Sequence, residues 1–478
     1  MTDLPLGWVK ARLADVAEVR LGRQRSPSRA TGERMRPYLR AANVNWSGLA
    51  LTDIKEMAFT EAESQIYELQ PGDILLGEAS GSPAEVGKPG QYKGEIAGCC
   101  FQNTLLRVRV PKELDSDFYE LFFRKEALTG RFAAGSRGVG IHHLGAAALT
   151  NWTIPVPPRA EQERIVTAIE EAFSKLDAGE AGLRATRQRL KRLRESVLAA
   201  AVTGRLVPQD PTDEPASKLL ADVSVSPRAT DDNLTMPLGW AMATVGDLIS
   251  EPLANGRSVQ TADGGFPVLR LTCLRDGKID LAERKLGAWD ANEAAGFLVE
   301  RGDFFVSRGN GSLRLVGRGG LVDVDPDPVA YPDTLIRIRI PASAMAPKLL
   351  SIWWNARVVR DQLEAQARTT AGIYKVNQGM IATVFLPVPG RVEQDRIVSE
   401  LERQFSFIDA CERTIAVGLA RSAALRRSIL KSAFEGRLVS QDPTNETAAA
   451  LLDRIRAERD AAGKARKPGR TSKAASST

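Results

Sequence analysis

Residues 154–166 read Ile154-Pro155-Val156-Pro157-Pro158-Arg159-Ala160-Glu161-Gln162-Glu163-Arg164-Ile165-Val166, and residues 386–398 read Leu386-Pro387-Val388-Pro389-Gly390-Arg391-Val392-Glu393-Gln394-Asp395-Arg396-Ile397-Val398. Each passes from a proline-punctuated stretch into a long run free of proline, the pattern of a helix that proline can start but not interrupt. Within the runs apolar residues return every three or four positions. Ile169, Leu176, Leu183, Leu190, Leu193 and Val197 mark the first seam, and Leu401, Ile408, Ile415, Leu425 and Ile429 the second. Sustained over several heptads, this predicts a coiled coil; a long helix packed on its own domain would give the same spacing. Small residues at Gly179, Gly182, Gly418 and Ser422 are expected to let two helices approach closely, since a helical glycine otherwise costs about 1 kcal/mol. Gly204 and Gly436 mark the helix exits.

Working outward, the whole chain is duplicated. Leu4-Pro5-Leu6-Gly7-Trp8 recurs as Met236-Pro237-Leu238-Gly239-Trp240 at an offset of 232. Residues 101–111 recur as 331–341 at an offset of 230, sharing Arg107 and Arg109 with Arg337 and Arg339. Gly204-Arg205-Leu206-Val207 and Gln209-Asp210-Pro211-Thr212 recur at 436–444, again offset by 232. Repeats of this size are globular domains rather than solenoid turns. Residues 77–94 and 307–320, by contrast, share little. A shared frame holding divergent loops suggests two binders of different targets.

Each repeat begins with a mixed domain. Residues 103–110 and 333–340 alternate apolar and polar side chains and stop at proline, as strands do. Gly72-Asp73 and Gly302-Asp303 turn into short apolar strands at 74–76 and 304–306. Helices are expected at 117–129 and 347–366. If the two long helices pair with each other in opposite directions, each 43-residue run gives a spacer of about 65 Å, against about 34 Å per turn of DNA.

The chain has 478 residues, 43% hydrophobic and 26% charged, which is too long for one core and ordinary for a soluble protein. Its net charge of +6 tilts mildly toward a polyanionic partner. No apolar run is long enough to span a membrane, and residues 1–10 lack a signal-peptide pattern, so a cytoplasmic setting is expected. Cys99, Cys100, Cys273 and Cys411 have neither disulfide-framework nor metal spacing.

The combination of Pro-x-Pro, Glu-Gln-x-Arg-Ile-Val, a long helix and Gly-Arg-Leu-Val-x-Gln-Asp-Pro-Thr, present twice over residues 1 to about 445, resembles the specificity subunit of type I restriction-modification systems. The resemblance implies an α+β fold with two duplicated mixed α/β target-recognition domains, separated by two long helices that form an antiparallel coiled coil. The boundaries expected are 1–158 and 236–390 for the recognition domains, 159–205 and 391–437 for the helices, 206–235 for a linker and 438–478 for a partly disordered tail. Each domain would read half of an interrupted double-stranded DNA site. Two modification (methyltransferase) subunits and restriction/translocase subunits would be the protein partners. No cofactor is expected in this chain; S-adenosylmethionine, ATP and Mg would belong to partner subunits. The second repeat departs at Asn445-Glu446-Thr447-Ala448, where the first has Asp213-Glu214-Pro215-Ala216.

A catalytic role finds no motif. No Asn/Asp-Pro-Pro-aromatic sequence is present to grip a flipped base, and no strand runs through Gly-x-Gly into a helix. Residues 81–88 only superficially resemble a phosphate loop, with Pro89 where a hydroxyl belongs. The reading is therefore a non-catalytic DNA-binding subunit; a stand-alone regulator of a split operator is the alternative.

Base reading needs forked donors and acceptors, and phosphate contacts need cations, hydroxyls and loop amides. Two loops per repeat supply them. The first repeat offers Ser80, Ser82, Lys88, Gln91, Tyr92, Ser136, Arg137, His142 and His143; the second offers Arg308, Asn310, Ser312, Arg314, Arg318, Thr369, Thr370, Tyr374, Lys375 and Asn377. Arg40 with Asn43, and Arg270 at the equivalent place, end apparent strands. Any one of these also fits a solvated loop. Arg107, Arg109, Arg337 and Arg339 read as an exposed strand face or as domain-to-helix salt bridges, and Trp8 and Trp240 as structural anchors. The basic cluster Arg184, Arg187, Arg189, Lys191, Arg192 and Arg194 fits DNA phosphates, an acidic partner or a solvated helix flank.

Overall fold

The computed structural model describes residues 4–26, 31–134, 140–228, 236–370 and 372–465. Contacts divide the chain into two units, Met1–Leu183 with Ala416–Thr478 and Arg184–Ile415. The division crosses the linear order. Each unit takes one globular domain, the first half of the long helix that follows it, and the second half of the other long helix.

In the first unit, strand Val9–Arg12 runs antiparallel to Thr153–Val156, with Val9 opposite Val156. The Pro-Val-Pro stretch therefore closes the domain as a strand, and the helix starts directly after it at Arg159. A four-stranded sheet orders Glu18–Leu21, Leu105–Arg109, Ile74–Gly77 and Pro89–Gln91. The alternating run and the apolar triplet thus become neighbours, Leu106 opposite Leu76. In the second unit, Ala241–Thr244 pairs with Phe385–Val388, and Phe304–Ser307 lies between Leu335–Ile338 and Gly319–Leu321. The helical run expected over 347–366 is two helices, Pro347–Asn355 and Arg357–Gln366, because Ala356 is extended with ψ 159°.

The long helices span Arg159–Val202 and Arg391–Phe434, 44 residues each, and pack antiparallel. In the first unit Arg426 meets Asp177 at 2.7 Å and Glu180 at 3.2 Å, and its guanidinium lies 5.0 Å from the Phe173 ring centroid. In the second unit Arg194 pairs with Asp409, lies 3.9 Å from Glu412, and sits 4.9 Å from the Phe405 centroid. This is one latch built twice: Phe173, Asp177, Glu180 and Arg194 become Phe405, Asp409, Glu412 and Arg426 at the offset of 232.

Ile169, Leu401 and Ile408 are fully buried, Leu190, Val197 and Ile415 nearly so, and Leu176, Leu183 and Ile429 half-buried. Leu193 and Leu425 depart from expectation, being 42% and 43% exposed. The next residue on each helix, Arg194 or Arg426, stacks on the facing phenylalanine and fills the seam instead. Of the small residues, Gly418 does admit Leu183, whose Cδ1 would lie 3.0 Å from an added Cβ. Ser422 is buried and donates to Glu180 at 2.7 Å. Gly179 and Gly182 are exposed, and a Cβ on either would meet nothing within 4 Å, so close approach does not account for them.

Gly204 and Gly436 end the helices in the left-handed region, both at φ 66°. An added Cβ would collide with Pro237 at Gly204 and with Pro5 at Gly436. Each helix exit is therefore packed by the opening turn of the other repeat. The segments expected as linker and tail hold helices at equivalent places, Ala216–Asp222 and Ala448–Ala465. Their order has an apolar cause: Leu219 and Leu220, like Leu451 and Leu452, join the cores of their units. Residues beyond 465 lie outside the described residues.

Candidate nucleic-acid interface

The most closely repeated residues are interior joints. Trp8 Nε1 donates to Glu161 Oε1 and Trp240 Nε1 to Glu393 Oε2, both at 2.9 Å. Burial holds both carboxyls above the usual carboxylate range. Gln162 accepts from the Asp115 amide at 2.8 Å and donates to the Pro157 carbonyl at 2.9 Å. Gln394 accepts from Ala346 at 2.7 Å and donates to Pro389 at 3.1 Å. The Glu-Gln pair thus ties each long helix to its own domain.

The repeats differ at one such joint. Arg396 pairs with Asp213, whereas its counterpart Arg164 reaches, among the described residues, only backbone carbonyls, of Ala160 at 3.3 Å and Ser440 at 3.4 Å. The residue equivalent to Asp213 is Asn445, whose buried Nδ2 has no hydrogen-bond partner among the described residues. Asn445→Asp is expected to supply the missing carboxylate and stabilise the chain by about 0.5–1 kcal/mol, the size of a partly exposed ion pair. A higher midpoint in thermal unfolding checks this; an unchanged or lower one refutes it.

The divergent loops come together. In the first unit Ala79–Ser80 pairs antiparallel with His142–His143, setting Ser80 opposite His142 and Ala79 opposite His143. In the second unit Gly309–Asn310 pairs with Ile373–Lys375, setting Asn310 opposite Tyr374 and Gly309 opposite Lys375. The register is the same in both, and Arg368–Thr370 adds a third strand to the second ribbon. Two loops some sixty residues apart in sequence are thereby one small surface in each unit.

The two surfaces differ in charge. On the first ribbon His143 Nδ1 lies 3.1 Å from Glu78, and Lys88 pairs with Glu85. On the second, Arg308, Arg314, Arg318, Arg368 and Lys375 are exposed, and no carboxylate among the described residues lies within ion-pair distance of any of them. Arg308 occupies the place of Glu78, and Leu315 that of Glu85. Sequence reading did not single out Glu78 or Arg368. The opposite charges at 78 and 308 were its available signal.

Several other candidates are engaged within the fold, and others are exposed. Tyr92 is buried, its hydroxyl donating to the Ile96 carbonyl, so it presents no face to DNA. Asn43 is buried as well, donating to the carbonyls of Ala50 at 2.9 Å and Asp53 at 3.1 Å. Arg40 pairs with Asp53 at 2.5 Å, and Gln91 donates to Ser116 at 2.9 Å. Asn377 caps a helix by accepting from the Met380 amide at 2.9 Å. Ser82 is exposed, with its amide on Ser80 Oγ at 3.1 Å, and Ser312 donates its amide to Asn310 at 3.0 Å. Thr369 lies opposite Tyr374 and Thr370 opposite Ile373. Arg270 is exposed, away from these pairings. Ser136 and Arg137 lie outside the described residues.

The strand arginines form neither an open face nor bridges to the long helices: Arg107 is buried, Arg109, Arg337 and Arg339 are half-buried, and each pairs within its own domain. Arg107 is 1% exposed and reaches Glu18 at 2.9 Å, while Arg109 pairs with Asp73 at 2.6 Å and Arg339 with Asp303 at 2.5 Å. Arg337 meets Glu251 at 3.1 Å. Residues 81–88 form no phosphate loop; they run through a short turn, Pro83–Glu85, to the strand starting at Pro89. Burial raises the Cys99, Cys100 and Cys273 thiols to about 12, which makes them poor nucleophiles. Among the described residues no group of three or more His, Cys, Asp or Glu is placed to hold a metal, and no helix is long and apolar enough to cross a membrane.

Two α+β domains, each with a recoded ribbon and each tied to one of a pair of antiparallel helices, define a class of duplicated binding proteins. A family described as the type I restriction modification DNA specificity domain matches residues 5–185. The specificity subunit of the type I restriction enzyme EcoBI of Escherichia coli is 31% identical over 83% of this chain and 82% of its own length. That of EcoKI, from Escherichia coli strain K12, is 28% identical over 96% of this chain and 97% of its own. A chain from a solved structure concerned with complex assembly and conformational transition of the type I R-M system has the same fold, with a TM-score of 0.67 at 16% identity over 91% of this chain and 99% of that one. The chain belongs to the specificity-subunit family of type I restriction enzymes.

Proposed function

We propose that this chain recognises an interrupted DNA sequence, one half through each ribbon, and carries modification and restriction subunits to it. The observation behind the reading is the pair of ribbons, alike in backbone register and different in side chains. Major-groove edges present distinct donor and acceptor patterns, so recoding side chains on a fixed frame changes the bases selected. The helix pair would set the number of unread bases between the halves. Chemistry would lie with the partners, which would hold S-adenosylmethionine, ATP and Mg, and the assembly would work in the cytoplasm.

Long-read sequencing of methylated DNA tests this in cells carrying the whole system. Deleting this gene is expected to erase one two-part methylated motif, and restoring it to bring the motif back. An unchanged methylation pattern would refute the reading. Tight, sequence-specific binding by the purified chain with methylation untouched would make it a split-operator regulator instead.

A further inference from the structure

Four ribbon positions occupy the same places in both units yet never carry the same residue: Glu78 and Arg308, Ser80 and Asn310, His142 and Tyr374, His143 and Lys375. Packing does not account for the differences, because all eight side chains are half-buried or exposed. The frame around them holds. In both units the strand before the ribbon pairs with the arginine-bearing strand, Leu76 opposite Leu106 and Val306 opposite Ile336. The Arg308 amide donates to the Thr334 carbonyl at 2.9 Å, as the Glu78 amide does to Thr104 at 2.9 Å. The two backbones are thus fixed alike while their side chains are set apart.

Charge makes the contrast chemical. Glu78 is engaged by His143 at 3.1 Å, so the first ribbon holds a partnered acid at the place where the second holds a guanidinium. Arg308 has no acidic partner among the described residues and projects from an anchored backbone. An unpaired guanidinium has five N–H donors in a planar fork, which match guanine O6 and N7. The same fork also fits phosphate oxygens, so the place of Arg308 decides between the two: it stands at a position recoded between the ribbons, where a sequence-independent phosphate contact would have no reason to differ, and Lys375 beside it already supplies charge.

Resting on the two-reader function above, we propose that these four positions decide which bases each half selects, and that Arg308 makes one G·C pair obligatory in the half-site of the second unit. The first ribbon, with an acid in that place, does not select guanine there.

The test uses the intact complex in cells that carry the whole system, with this chain replaced by Arg308→Ala or Arg308→Lys. Arg308 is exposed, so neither change disturbs the core. Arg308→Ala is expected to relax one position of one half-site from guanine to several bases, leaving the other half intact, and Arg308→Lys, which keeps a donor able to reach guanine, to relax the same position less. Discrimination at that position should fall roughly 5- to 150-fold, the worth of one forked contact. Lysine should keep the overall level of methylation closer to normal than alanine, since it keeps the charge. An unchanged motif in Arg308→Ala overturns the proposal. So does a uniform drop in methylation across all sequences, which would make Arg308 a phosphate contact. The gene deletion separates this failure from failure of the broader reading: if deletion erases the motif and Arg308→Ala leaves it intact, only the assignment of Arg308 falls.

Discussion

Replacing Trp240 with phenylalanine is expected to destabilise the second unit by roughly 1.5–3 kcal/mol at neutral pH and by clearly less in acid, because the lost hydrogen bond goes to a buried carboxylate. The indole N–H donates to Glu393 at 2.9 Å, with Gln209 at 3.4 Å on the other oxygen. Burial raises the Glu393 pKa above its ordinary value. Between the unfolded and folded pKa values the folded chain therefore binds more protons, so stability falls as pH rises through that window and stays lower above it. The indole opposes this penalty by stabilising the anion. Without it the folded pKa rises further and the penalty widens. Below both values the carboxyl is neutral in either state and the indole contributes less. Urea unfolding at about pH 4 and about pH 8, on either side of the ordinary Glu range and its raised counterpart, measures the difference; equal losses at both would sink the argument. Trp240→Ala adds the loss of a large buried ring, for a total of about 3–5 kcal/mol. Trp8 makes the same contact with Glu161 and should behave alike.

Those joints were legible as repeats but not as bonds. Trp8 and Glu161 stand 153 residues apart, as do Trp240 and Glu393, and a sequence gives no distance across such a gap. The long helices were legible because 3.6-residue periodicity is local and proline marks the start. Their crosswise sharing was not, since it depends on Pro5 meeting Gly436 rather than Gly204. Leu193 was misplaced for a related reason. Periodicity ranks a leucine above an arginine in a seam, but Phe405 offers a cation a flat aromatic face, and Asp409 lies beside it. Arg107 shows the same limit: alternation gave its strand, while its burial against Glu18 and the carbonyls of Ile66 and Glu68 arises from long-range packing. The loops were legible only as separate candidates, and it is the β-pairing that makes two of them in each unit one ribbon.

Charge favours the antiparallel direction in which the helices run, and reversing it gives a second large expected effect. Residues 183–202 carry six basic side chains and one acidic, and residues 416–434 four basic and none acidic. Residues 159–182 carry three basic and six acidic, and residues 391–415 four and six. Antiparallel packing sets each basic half against an acidic one, and a parallel pair would set basic against basic. Arg194 and Arg426 are where this attraction becomes contact, each joined to carboxylates and stacked on a ring. Arg194→Glu is expected to cost roughly 1–3 kcal/mol, combining a partly exposed ion pair, a cation–π contact and new repulsion from Asp409 and Glu412. Arg426→Glu should cost a similar amount against Asp177 and Glu180, and the two should add because they share no partner. Asp409→Arg placed on Arg194→Glu should recover part of the loss, while doing nothing for Arg426→Glu. Unfolding midpoints of the single and paired variants provide the measurement. A rescue that fails for its own latch, or works equally well for the other, would show that the helices are held by their apolar seam alone.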